Sequence, residues 1–169
     1  MKKDKLYGLF EQNKTDIFFE TGTHLGYSVK RAVNIGYKEI HSIEIIKDRY
    51  IECREKFKDN ENVFLYLGDS LMWIPEILNT IDCRCTFWLD AHMSKVSRNC
   101  PTLEELKLIG QHHIKDHIIL IDDMRDFGTH AHEFITIDEL KNQILSINKS
   151  YKFSFESTSI PNNVLLCKT

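Results

Sequence analysis

Phe19-Glu20-Thr21-Gly22-Thr23-His24-Leu25-Gly26-Tyr27-Ser28 joins an apolar run to a segment of helical spacing, and its reading decides the fold. Residues 16–21 lead in as a strand. Val29, Ala32 and Val33 lead out at i, i+3 and i+4 and stop at Gly36, a helix-ending residue. The same alternation continues outward. Strand-like runs are expected at 39–45, 63–67, 85–89, 117–121, 151–155 and 164–167. Helical sets lie between the first five strands: Tyr50, Ile51, Cys53 and Phe57; then Leu71, Ile74, Ile77 and Leu78; then Leu103, Leu106, Leu108 and Ile109, ended by Gly110. A further helix is expected over 137–147. Near-continuous apolar strands such as Ile118-Ile119-Leu120-Ile121 suit a sheet buried on both faces. The last two runs have only 157–163 between them, with Pro161, Asn162 and Asn163, which reads as an antiparallel hairpin. The expectation is an α/β, Rossmann-like, doubly wound sheet of seven strands. It is mostly parallel, closes on a C-terminal antiparallel hairpin, and carries helices on both faces. No linker or repeat interrupts 1–169, so one domain is expected.

Bulk properties narrow the function classes. The chain has 169 residues, 42% of them hydrophobic, which is enough for one substantial core. A formal net charge of −3 without a basic block gives no phosphate-neutralising stripe, so nucleic acid is not an expected partner. No stretch approaches the roughly 20 apolar residues of a membrane span, and the Lys-rich start lacks a signal-peptide core. The five cysteines show neither zinc nor disulfide spacing and read as reduced core thiols, hence a cytoplasmic setting.

In doubly wound sheets ligands gather beyond the carboxyl ends of the strands. The first turn is therefore the first candidate site. Gly22 and Gly26 permit backbone angles closed to other residues, and Ser28 stands near a helix N-terminus. The Gly-x-x-x-Gly spacing is neither the dinucleotide fingerprint nor a phosphate loop. The next strand ends on Glu44, an acid about twenty residues further on, where a carboxylate can accept a ribose diol. The third ends on Gly68-Asp69-Ser70.

This combination resembles the cofactor signature of class I S-adenosylmethionine (SAM)-dependent methyltransferases. The Gly26-Tyr27-Ser28 ending is most similar to the catechol and caffeoyl-CoA O-methyltransferase branch. The resemblance implies that Glu20 and Gly22 face the methionine part of SAM and that Ser28 binds its carboxylate. Glu44 would hold the ribose, and Asp69 would lie near the adenine. Thr23, Gly26, Ser70 and Asp90 complete the expected cofactor-binding set.

Asp90 ends the fourth strand, and Asp122 and Asp123 end the fifth. Three carboxylates at adjacent strand ends repel one another, and a hard divalent cation resolves that conflict. Mg²⁺ suits the oxygen set, and the same branch carries acids at these positions. Such a metal would acidify and fix an acceptor hydroxyl while a base takes its proton. His92 and Lys95 are the candidate bases. The catechol relatives place a lysine closer to the metal-binding aspartate than Lys95 is to Asp90, and His92 titrates near neutral pH. His112 and His113 read as helix-end cations. His130 and His132 have the spacing of a loose metal site, and Trp73 and Trp88 read as core or pocket walls.

Two rivals belong to other classes. An arginase-type hydrolase is suggested by Trp88-Leu89-Asp90-Ala91-His92, but its motif wants an acid where Ser94 stands, and its second acidic motif is absent. A non-catalytic SAM- or nucleotide-binding module would need no acid set. The acceptor is expected to be a hydroxylated small molecule or a glycan, because the polar loops 93–101, 124–133 and 157–163 must shape its site. A second copy of the chain could contribute to that site as a homo-oligomer.

Overall fold

The computed structural model describes residues 4–91 and 100–169. Parallel strands β1 (Ile17–Thr21), β2 (Glu39–Glu44), β3 (Val63–Leu67), β4 (Cys85–Leu89) and β5 (Ile118–Ile121) alternate with helices. These are α2 (Tyr27–Ile35), α3 (Lys47–Lys56), α4 (Ser70–Leu78) and α5 (Thr102–Ile109). Helix α6 (Ile137–Ile147) then precedes β6 (Lys152–Glu156) and β7 (Val164–Lys168), which pair with each other antiparallel. The seven-stranded sheet runs β3-β2-β1-β4-β5-β7-β6, with β7 antiparallel to β5. The order reverses between β1 and β4, so the ligand edge lies beyond Thr21 and Leu89.

Strand alternation sorts the core into two layers. Phe19, Ile43, Phe87, Leu89, Ile119 and Ile121 pack with Ile74, Leu106, Leu140 and Ile144 of α4, α5 and α6. Their strand neighbours Phe18, Ile40, Trp88 and Leu120 pack on the other face with Val29, Ala32 and Cys53 of α2 and α3. Among the described residues no helix is long and apolar enough to cross a membrane.

Two features depart from the sequence reading. The segment before β1, for which the sequence pattern predicts no element, forms α1 (Lys5–Gln12). Asp4 caps it by accepting the Tyr7 N–H at 2.8 Å and pairs with Arg31 of α2. Phe10 is driven into the core, 5.1 Å from the Trp88 ring. Second, β6 begins one residue later than expected, because Tyr151 turns inward and its hydroxyl donates to the His117 carbonyl at 2.7 Å.

His112 is also not the solvated helix-end cation expected. Its Nδ1 lies 2.9 Å from Nε2 of His117, and its Nε2 lies 2.9 Å from the Ile81 carbonyl. His117 Nδ1 accepts the Cys85 N–H at 3.0 Å, so the proton of its neutral ring sits on Nε2. Burial, with the nearby His112 charge next, pushes His117 down to about 3. The unfolded chain therefore takes up a proton below about pH 6.5 that the folded chain refuses, so this site costs stability as pH falls from 6.5 towards 3. Wild type is expected to be more stable than His117→Gln at pH 7. That gap should narrow by about 2–3 kcal/mol at pH 4.5 in urea denaturation. A gap that does not change with pH would contradict the buried neutral His117.

Candidate cofactor and catalytic site

The first turn folds as a tight bridge from β1 to α2. The N–H groups of Gly22 and Thr23 both donate to the Ile43 carbonyl, at 3.0 and 3.1 Å, and Gly26 N–H donates to Thr23 O at 2.8 Å. Gly22 has φ +86° and Gly26 has φ +69°. A Cβ on Gly22 would stand 2.4 Å from the Asp90 carbonyl oxygen, so β1 and β4 approach here as only glycine allows.

Side chains from β1 and β2 brace this turn from beneath. Ser42 Oγ donates to Glu20 at 2.5 Å and lies 2.6 Å from Thr23 Oγ1. Burial, eased by Ser42 and Ser28, pushes Glu20 up to about 8, so it is largely protonated at neutral pH. Ser42 is a site residue that the sequence reading missed, although its inward place opposite Glu20 in the β1–β2 register was a usable signal.

Glu44 is held as an acceptor. One carboxylate oxygen takes the His24 N–H at 2.7 Å and the other takes the Ile46 N–H at 2.7 Å. Each oxygen keeps a lone pair for a further donor. Just after β3, Gly68 has φ +144°, and Asp69 caps α4 by accepting the Leu71 N–H at 2.9 Å. Ser70 is buried in the first turn of that helix.

Asp90 follows β4, and Asp122 and Asp123 follow β5. Asp90 donates its N–H to Thr21 O at 3.1 Å, and Asp122 donates its own to Leu89 O at 3.2 Å. Burial raises Asp90 well above the usual carboxylate range, with Asp122, Glu20 and Asp123 adding repulsion; the buried indole N–H of Trp88 beside it opposes the shift. Burial likewise lifts Asp122 to about 6. Asp123 adopts φ +55°, a left-handed angle unusual for a residue with a side chain.

Asn163, from the loop between β6 and β7, bridges the pair. Its Nδ2 donates to Asp122 Oδ1 at 2.8 Å and to Asp123 Oδ1 at 3.2 Å. The sequence reading assigned Asn163 to a turn, since the contact spans some forty residues. Asp122 Oδ1 also accepts the Asp123 N–H at 2.8 Å. As arranged, the set does not fit the expected cation, because an amide donor stands between the two carboxylates. Among the described residues no group of three or more His, Cys, Asp or Glu is placed to hold a metal.

The remaining expectations fall elsewhere. His92 and Lys95, the candidate bases, lie outside the described residues. His130 and His132 form a short 3-10 turn, and His132 is buried against Phe127 with ring centroids 4.4 Å apart rather than turned out as a ligand. Glu133 reaches across to accept the Cys100 N–H at 3.0 Å, tying the β5–α6 loop to the segment before α5.

No protein-family model and no curated protein matches the chain. Solved structures do resemble it. An O-methyltransferase from Bacillus cereus in complex with S-adenosylhomocysteine (SAH) superposes with TM-score 0.64 at 12% identity, over 97% of this chain and 78% of that one. A candidate caffeoyl-CoA O-methyltransferase from Staphylococcus aureus gives TM-score 0.69 at 12% identity, over 97% and 80%. SMU.1697c, a candidate methyltransferase from Streptococcus mutans in complex with SAH, gives 0.60 at 15% identity over 99% of both chains. Strand order, the closing hairpin and these likenesses together identify the fold as the Rossmann-like fold of class I SAM-dependent methyltransferases.

Proposed function

We propose that the chain is a SAM-dependent methyltransferase that acts on an oxygen of a hydroxylated small molecule or sugar. The observation that carries this reading is Glu44, fixed by two backbone N–H groups beside the glycine turn with acceptor capacity left over. Bound SAM supplies an activated methyl group on a sulfonium. Everything else falls to the chain. Glu44 accepts the ribose hydroxyls, Ser28 and the α2 N-terminus receive the carboxylate, and Asp69 and Ser70 face the adenine side. Glu20, Ser42 and Thr23 hold the turn in shape. Asp90, Asp122 and Asp123 line the acceptor end, and His92 or Lys95 is its base. The five free thiols support a reducing, cytoplasmic location.

Two assays test this. Calorimetric titration with SAH is expected to show one site per chain. Incubation with labelled SAM and a panel of catechols, sugars and polyols is expected to transfer methyl to at least one hydroxyl. SAH binding with no transfer to any acceptor would favour the binding module instead. The part played by Asn163 is tested separately: transfer untouched by EDTA supports an amide in the cation's place, and Mg²⁺-dependent, EDTA-sensitive transfer overturns that reading.

A further inference from the structure

Glu105 of α5 has 0% exposure, and neither of its carboxylate oxygens finds a hydrogen bond of full geometry. Thr21, also at 0%, leaves its own Oγ1 without a partner. These two orphaned groups are neighbours. Thr21 ends β1 on the face shared with Phe19, the face covered by α4 and α5, and its hydroxyl and that of Ser70 lie near enough to the Glu105 carboxyl to favour its charged form without making a full hydrogen bond. Buried polar groups left unpaired cost free energy that an apolar side chain would avoid, so an acid here needs a reason. Its place supplies one. It lies beneath the junction of β1, α4 and α5, the adenosine side of the proposed cofactor site.

We propose that Glu105 is a positioning residue for the adenosine end of that site, its carboxyl bridging the hydroxyls of Thr21 and Ser70 from below. The inference rests on the cofactor reading above. A neutral carboxylic acid can donate to one hydroxyl and accept from the other, which sets the end of β1 and the start of α4 at one spacing. Burial lifts Glu105 to about 7, and Asp69 of the α4 cap adds repulsion. Among the described residues Cys100, just before α5, is a further titratable neighbour, and its thiol is raised by burial. α6 buries the apolar Leu140 and Ile144. Above about pH 7 the bridge loses its proton and its donor, and the new charge sits beside Asp69.

The test measures SAH affinity by calorimetry at pH 6 and pH 8.5 for wild type and Glu105→Gln, which keeps a donor and an acceptor at every pH. The two proteins are expected to agree within about twofold at pH 6, with Glu105→Gln binding about tenfold more tightly at pH 8.5. A group serving only the fold would shift stability and leave this affinity ratio flat. If Glu105→Gln does not fold, Thr21→Val provides the second arm: at pH 6 it should bind SAH about fivefold more weakly than wild type. Wild-type binding with a flat ratio, or an unaffected Thr21→Val, overturns the positioning role and leaves the cofactor reading standing. No SAH binding by wild type at either pH overturns both.

Discussion

Gly22→Ala is expected to abolish measurable SAH binding and to lower folding stability by about 2–4 kcal/mol. The added methyl would lie 2.4 Å from the Asp90 carbonyl oxygen, 2.8 Å from its carbon and 3.1 Å from Ala91 Cα. All three are backbone atoms at the end of β4, so no side chain can swing aside. The φ of +86° adds strain of its own, roughly 1 kcal/mol for a residue with a Cβ. Relief requires β1 and β4 to part at the switch point, and that movement also displaces Asp90, whose N–H is bonded to Thr21 O. Gly128→Ala is the matched control. It has φ +81° but nothing within 4 Å of the added methyl, so it should show the strain alone and keep SAH affinity within about twofold. Urea denaturation and calorimetry on the two variants separate contact from conformation.

Glu44→Ala is expected to weaken SAH about hundredfold, equivalent to some 3 kcal/mol. Two effects combine. The ribose loses a charged acceptor, and the N–H groups of His24 and Ile46, each 2.7 Å from the carboxylate, lose theirs. The second effect loosens the turn at His24, where φ is +49°, so the stability cost should be about 1–2 kcal/mol. Glu44→Gln, which keeps one carbonyl acceptor but presents an amide donor in place of the other oxygen, should fall between. If Glu44→Ala lost stability and kept full SAH affinity, the glutamate would be a turn brace only.

The central strands β1, β4 and β5 were legible because each is buried on both faces and bounded by a turn, which leaves little freedom in composition. The acids at the ends of β2, β3, β4 and β5 were legible because parallel strands in register must bring their carboxyl ends to one edge. What stayed hidden depends on partners distant in sequence. Glu104 and Glu105 are adjacent in α5, yet Glu104 pairs with Lys107 in solvent while Glu105 is buried. Nothing local separates them. Asn163 reads as a turn residue until the hairpin brings it over Asp122, and that contact explains why the metal expectation did not carry through: an amide answers part of the repulsion assigned to a cation. Helix α1 is short, and it is held by its buried face of Tyr7, Leu9 and Phe10, with Phe10 against the Trp88 ring.

A crystal structure of the protein with SAH tests the central claim most directly. The expected result is adenosylhomocysteine across the carboxyl ends of β1, β2 and β3, with its ribose hydroxyls on the Glu44 carboxylate and its amino-acid end over the Gly22–Ser28 turn. Density for SAH anywhere else, or none at a concentration that saturates the protein in solution, would contradict it.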